Sequence, residues 1–191
     1  MKRLVDIVIA TTALILLLPI FIWVTYKVKK NLGSPVLFLQ ERPGENGQIF
    51  KMIKFQSMKD AVDKDGNPLP DEKRITPFGQ KLRSTSLDEM PQLINVLKGD
   101  MSIVGPRPDL PEHFNVYSES EKRKLSVRPG ITGYNQAYFR NTIPWKERIQ
   151  NDIYYIDHLS FWMDIRVVFK TAWSILSRKS VFIEVEEKNE Q

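Results

Sequence analysis

The 191-residue sequence contains no cysteine and only two histidines, His113 and His158. The first absence excludes disulfides, cysteine-ligated zinc and thiol catalysis. The second leaves little material for a histidine metal site, and the two stand at unrelated positions. No glycine-rich loop runs into Lys-Ser/Thr, so there is no P-loop. No Gly-x-Ser-x-Gly occurs, so there is no nucleophile elbow. No nucleic-acid-binding motif accompanies the basic residues, and nucleic acid is not expected as a partner. There is no internal repeat.

Charge and apolar content are in good supply. Lys plus Arg number 28 against 23 for Asp plus Glu, a net charge of +5 and a pI near 9.3. A mild excess of this sign suits phosphates or an anionic membrane surface. Hydrophobic residues make up 42% and charged ones 27%, the balance of a folded domain and not of a disordered chain.

The longest apolar run is Leu4 to Tyr26, broken only by Asp6 and threonines. About 20 helical residues cross a bilayer core, so this run is long enough. It ends in Lys27, Lys29 and Lys30, an anchor flank without a small-residue cleavage site. Lys2 and Arg3 make the other flank basic as well, so both ends prefer the cytoplasm and the positive-inside rule gives no clear orientation. Pro19 removes a backbone donor inside the run. Two readings follow: a helix that enters, bends near Leu18-Pro19 and returns, or a single kinked span.

Beyond this segment, Pro35–Gln40 and Ile49–Phe55 flank an Asn46-Gly47 turn and read as a β-hairpin. Asp60 to Arg74 is polar and reads as a surface loop. A helix is predicted from Leu87 to Lys98, with Pro91 in its first turn and Gly99 just past its end. Met101–Val104 is a short strand candidate. Two helices, Pro144–Leu159 and Phe161–Leu176, close the chain. The second carries Phe161, Trp162, Ile165, Val168, Phe169, Ala172, Trp173 and Leu176 at helical steps. Core packing is the favoured reading of that stripe; the alternative is a helix lying in a membrane interface. The expected fold is a helix-rich α/β (α+β) domain with a small β-hairpin. Residues 1–30 form the membrane segment, 31–183 the cytoplasmic catalytic domain and 184–191 a polar tail.

Two constellations can carry chemistry. Asp88 and Glu89 are adjacent carboxylates at a helix start, where the dipole favours the ionised form. A structural account also exists, since Ser86 and Glu89 match a capping box. The functional account makes Asp88 a nucleophile or metal ligand, with Arg83 nearby. The second constellation is a set of arginines beside proline or glycine: Arg42-Pro43-Gly44, Pro106-Arg107-Pro108 and Arg128-Pro129-Gly130, with Arg140 beyond. Arginine forks match phosphate oxygens, and rigid neighbours reduce the entropy lost on binding. Lys51 and Lys54 on the hairpin add charge.

The run Leu87-Asp88-Glu89-Met90-Pro91-Gln92-Leu93-Ile94-Asn95-Val96-Leu97-Lys98-Gly99-Asp100-Met101-Ser102-Ile103-Val104-Gly105-Pro106-Arg107-Pro108 closely resembles the signature of the bacterial sugar transferases, the small monotopic phosphoglycosyl transferases. Lys2-Arg3, Gln40-Glu41-Arg42, Lys54-Phe55, Thr76-Pro77-Phe78-Gly79, Arg128 to Gly133 and Arg140-Asn141 match in order. The resemblance implies that Asp88 attacks the β-phosphate of a UDP-sugar, releases UMP, and passes the phospho-sugar to undecaprenyl phosphate. This is the first membrane step of glycoconjugate or exopolysaccharide assembly. It implies Mg²⁺ at Asp88, Glu89 as partner of the dyad, and Lys54, Arg83, Arg107, Arg128 and Arg140 as phosphate or nucleotide contacts. It also implies a re-entrant helix kinked at Pro19, contact with membrane lipid, interfacial amphipathic helices, and a catalytic domain on the cytoplasmic face of the bacterial inner membrane. Three residues depart from the pattern: Leu18 before the kinking proline, Gln56 before Ser57-Met58, and Tyr134 after Gly133, in a stretch expected to shape the sugar site. A rival enzyme reading is a lipid phosphatase using the same aspartyl-phosphate step, and a rival non-enzymatic one is an anion-binding scaffold. Two carboxylates among arginines disfavour the scaffold.

Overall fold

A computed structural model of the protein describes residues 1–114, 116–139 and 142–176. Arg140 and the tail at 184–191 lie outside these residues.

The first element, α1 (Lys2–Leu32), is one 31-residue helix that continues through Pro19. At 1.5 Å per residue such a helix is about 46 Å long if straight. Only 11% of its most apolar window is buried, which excludes the buried core helix of a soluble domain. What it does bury comes in two pairs at helical spacing, one in each half. Asp6 and Ala10 face the domain near the N-terminal end, and Val24 and Val28 near the C-terminal end. Ala10 packs with Met52, Leu93, Val96 and Met101. Val24 and Val28 pack with Phe55 and Leu82. Between them, Ile15 and Leu16 are 67% and 72% exposed.

Polar side chains fasten the first turns of α1. Arg3 donates to the carbonyls of Val96 and Leu97 at 2.5 and 2.9 Å. Asp6 accepts from Ser102 Oγ at 2.9 and 3.0 Å and from the Ile103 amide at 3.0 Å. Lys2 pairs with Asp164.

The hairpin forms as its turn residues require. Strand β1 (Leu37–Pro43) pairs antiparallel with β2 (Ile49–Phe55), in register from Leu37 with Phe55 to Pro43 with Ile49. Asn46 and Gly47 take φ of 57° and 75° in the connection, conformations these residues adopt at small cost. The 60–74 loop holds a one-turn helix, α2 (Asp71–Arg74), before α3 (Pro77–Ser84). Thr76 caps α3 by accepting from the Gly79 amide at 3.1 Å, with Pro77 at the first helical position. A Cβ on Gly79 would lie 1.9 Å from the Ser57 carbonyl oxygen, so only glycine lets α3 approach the end of β2.

The predicted 87–98 helix is shorter than expected. Leu87–Glu89 is a single 3₁₀ turn, and α4 spans Gln92–Lys98, with Pro91 as its N-cap. Gly99 closes α4 at φ 98°. Strand β3 (Ser102–Val104) pairs in parallel with β4 (Gly130–Thr132), Ser102 opposite Gly130. The remaining helices are α5 (Pro111–Phe114), α6 (Tyr134–Tyr138), α7 (Trp145–Asp157) and α8 (Phe161–Leu176). The last two fall where the sequence pattern puts them. The stripe on α8 does not pack as favoured, however. Val167 is buried, but Phe161, Trp162, Phe169 and Trp173 are 58%, 69%, 72% and 68% exposed.

Candidate active site

The dyad sits in the 3₁₀ turn, not in the helix. Ser86 has φ 56° and makes no side-chain cap. The expected capping box is absent, because the Glu89 carboxylate is engaged elsewhere. Its Oε1 accepts from Lys54 Nζ at 3.0 Å and from Arg107 Nη2 at 2.7 Å. Lys54 comes from β2 and Arg107 from the loop after β3, so three separate segments meet at Glu89. The 3₁₀ turn and Pro91 hold the dyad ahead of α4, free to face these cations.

Asp88 is 8% exposed. Among the described residues no other side chain donates a hydrogen bond to it. Burial, reinforced by the neighbouring Glu89 charge, pushes its pKa up to about 6, against the pull of Lys54 and Arg83. Glu89 behaves oppositely. Burial works against its ionisation, but Arg107 and Lys54 outweigh it and hold the carboxyl down to about 2. Lys54 is itself lowered by burial, partly offset by Glu89. Two adjacent carboxylates thus have separate tasks open to them: Glu89 is a fixed anion, and Asp88 is a poorly solvated carboxylate that is ionised near neutral pH.

Arg83 extends from α3, is anchored by its Nε donating to Ser57 Oγ at 2.9 Å, and acts on Asp88 electrostatically. Lys54, Arg83 and Arg107 set three positive charges against two negative ones. The site therefore has a net attraction for an anion. Gln56, one of the three departures noted in the sequence, turns inward and donates to the Met58 carbonyl at 3.0 Å.

Arg107 is held by backbone crossings. The Gly130 amide donates to the Pro106 carbonyl at 2.9 Å, and the Gly105 amide to the Thr132 carbonyl at 2.9 Å. A Cβ on Gly130 would lie 2.1 Å from the Gly105 nitrogen. Arg42 Nη1 approaches the Pro108 carbonyl at 3.4 Å. Arg128 is not brought to the dyad. It pairs with Glu45 at 3.3 Å and lines a separate cleft. Tyr134 and Tyr138 stack with each other at 4.6 Å, and Tyr134 packs on Tyr154, so the contacts of this pair run to α7.

Sequence reasoning missed a buried network beside Arg107. Lys124, 4% exposed, pairs with Asp109 at 2.5 Å and with Asp152 at 2.9 Å. Tyr117 donates to Asp109, and Asn135 to Asp152 at 2.7 Å. Lys124 lies in the run Glu121-Lys122-Arg123-Lys124, which reads as a solvated face; nothing in the sequence separates it from its neighbours. Asn95 was visible only as part of the signature run. Fully buried, it accepts from the Ile53 amide at 2.9 Å and donates to the Lys51 carbonyl at 2.8 Å, tying α4 to the strand that carries Lys54.

Comparison with known proteins is decisive about kinship. The family model described as bacterial sugar transferase matches residues 1–178. The chain belongs to the bacterial sugar transferase family. It is 41% identical to a Bacillus subtilis protein named uncharacterized sugar transferase EpsL, over 95% of this chain and 90% of that one. It is 40% identical to the UDP-glucose:undecaprenyl-phosphate glucose-1-phosphate transferase of Xanthomonas campestris and 36% identical to the undecaprenyl-phosphate galactose phosphotransferase of Salmonella typhimurium. Each of these matches covers 95% of this chain, but only 40% and 42% of the relative. This sugar transferase thus aligns with under half of those larger proteins and with nearly all of the Bacillus one.

Proposed function

We propose that this sugar transferase moves a phospho-sugar from a UDP-sugar to undecaprenyl phosphate through a covalent intermediate on Asp88. The observation that carries this reading is the division of labour in the dyad. Glu89 is locked between Lys54 and Arg107, whereas Asp88 is buried and held by no side-chain donor among the described residues. An Asp88 oxygen forms a bond to the β-phosphorus, and the bond from that phosphorus to the bridging oxygen breaks. UMP leaves with the electron pair. A phosphate oxygen of undecaprenyl phosphate then attacks the same phosphorus, frees the Asp88 carboxylate and gives the lipid-diphospho-sugar. Lys54, Arg83 and Arg107 offset the charge that gathers on phosphate oxygens in both steps.

The carboxylates fit Mg²⁺ as a half-site. Among the described residues there is no cluster of three or more potential ligands. Glu89 meets both its cations through Oε1, which leaves Oε2 and the Asp88 carboxylate. Mg²⁺ characteristically takes one or two carboxylates and completes its octahedron with phosphates and water. Bound there, it would supply charge neutralisation on the diphosphate.

Membrane attachment follows the same reading. A spanning helix leaves its ends on opposite faces of the bilayer, yet Ala10 and Val28 both pack on one domain. We therefore take α1 as re-entrant, with the exposed residues around Leu16 and Pro19 at its deepest point. The aromatic residues on α8, with exposed Arg166 and Lys170 on the same helix, suit the headgroup layer of the cytoplasmic face.

The test is a panel of UDP-sugars with Mg²⁺ and undecaprenyl phosphate, comparing wild type with Asp88→Asn. Wild type should release UMP and place label in the lipid fraction for one donor, and Asp88→Asn should lose at least about 10³-fold of that turnover. Label recovered only as free sugar phosphate would favour the phosphatase reading.

A further inference from the structure

The loop that delivers Arg107 to Glu89 is stiff and is pinned at both ends. It reads Gly105-Pro106-Arg107-Pro108-Asp109. Each proline fixes its own φ, and Pro108 also disfavours helical backbone at Arg107. Little rotation is left between Pro106 and Asp109. The near end is pinned by the crossing with β4, through the Gly105 amide on the Thr132 carbonyl and the Gly130 amide on the Pro106 carbonyl, both at 2.9 Å. The far end is pinned by Asp109. Its Oδ2 accepts from Lys124 Nζ at 2.5 Å and from the Tyr117 hydroxyl. Arg107 is the charged side chain between the two pins, and it meets Glu89 at 2.7 Å.

Lys124 is the odd member of its segment. It sits in the 3₁₀ stretch Glu121–Ser126 and is 4% exposed, while Glu121, Lys122 and Arg123 beside it are not buried. Burial disfavours the charge of a lysine, so such a residue persists only where carboxylates meet it. Here two do, from separate parts of the fold: Asp109 of the loop, and Asp152 of α7 at 2.9 Å. Asn135 of α6 holds Asp152 in turn, at 2.7 Å. Lys124 therefore ties the Arg107 loop to α6 and α7. Apolar side chains would fill this space without desolvating three charges. What the ion pair adds is direction, because the Asp109 carboxylate can sit only where Lys124 and Tyr117 meet it.

We propose that Lys124 and Asp109 are positioning residues for the transfer reaction: their ion pair sets the far end of the loop, so that Arg107 reaches Glu89 and the phosphates beside Asp88. The inference rests on the function proposed above, in which Arg107 offsets phosphate charge. Neither residue is among the main charges acting on Asp88 or Glu89. Their effect on turnover passes through Arg107.

A double-mutant cycle read as UMP release tests this, with turnover expressed per folded protein from the amplitude of thermal unfolding. Asp109→Ala is the first variant, because it leaves Lys124 paired with Asp152 and strands no buried charge. It should lower turnover at least about tenfold, the cost of a misplaced charged group. In the Arg107→Gln background the same substitution should cost less than about twofold, because no guanidinium remains to be placed. In the Arg83→Gln background it should keep its full effect, since Arg83 is held separately by Ser57. Lys124→Arg, which keeps a cation between the two carboxylates, should retain most of the turnover that Lys124→Met loses. Equal losses from Asp109→Ala in all three backgrounds would overturn the proposal in favour of a general contribution to folding. Wild-type turnover in Asp109→Ala would overturn it outright. Arg107→Gln that releases UMP as fast as wild type would overturn the role given to Arg107 in the proposed function, and this positioning role with it. That failure shows in the single variant and is thereby told apart from a failure of the cycle.

Discussion

Asp88 and Glu89 are neighbours in the chain with opposite protonation behaviour, and the difference comes from which of them has partners. With Asp88 at a pKa of about 6, its ionised form fills as pH rises through 6. A nucleophile needs that form, so turnover should fall about tenfold per pH unit below 6 while the fold persists, a limb visible in a pH–rate profile. Glu89, at about 2, contributes nothing to that limb. The same shift bears on stability. A carboxyl whose folded pKa lies above its unfolded value of 3.8 binds more protons when folded, so the folded state loses stability as pH rises from 3.8 to 6. Above that window the cost is fully present. Asp88→Asn should therefore raise stability at pH 7.5, by about 3 kcal/mol; a urea titration of the two proteins measures it. Loss of turnover together with gained stability distinguishes a buried reactive group from a structural one. The pairing of these two residues was legible in the sequence. Their division of roles was not, because it depends on Lys54 and Arg107, which stand 35 and 18 positions from Glu89.

Among the elements, the hairpin could be read directly, since Asn46-Gly47 names its own turn. The 87–98 segment could not, because the positive φ of Ser86 is a tertiary feature and Ser-x-x-Glu mimics a cap. Strands β3 and β4 are three residues each, too short to show a period. What holds them together is the close passage of two glycine-containing loops, and that gives them a specific vulnerability. Gly130→Ala puts a methyl group 2.1 Å from the Gly105 nitrogen, where only a backbone shift can make room. The crossing carries Arg107 to Glu89, so this substitution should cost a few kcal/mol of stability. In the fraction that stays folded it should also lower turnover by at least about tenfold. Thermal unfolding and kcat measured on the same preparation separate the two effects.

At the level of the whole molecule, the exposed apolar surface lies mainly in two places: along α1 from Leu4 to Tyr26 and on the outer side of α8. A periodic stripe cannot say whether its partner is protein or lipid, which is why the pattern of Phe161, Trp162, Phe169 and Trp173 favoured a core that the fold does not supply. Re-entry makes a sharp topological prediction. Single cysteines placed at Lys2 and Leu32 in this cysteine-free chain should both be labelled from the cytoplasmic side of intact membranes. Labelling from opposite sides would make α1 a span and would require both of its packing contacts to be rearranged.

The central claim is the bond to Asp88. Wild-type protein is mixed with its UDP-sugar and Mg²⁺ without acceptor lipid, quenched, and examined by intact mass followed by peptide mapping. A mass increase of one phospho-sugar on the peptide containing Asp88, discharged by undecaprenyl phosphate and absent from Asp88→Asn, is the predicted result. Product formed at full rate with no adduct, or turnover that survives in Asp88→Asn, would contradict it.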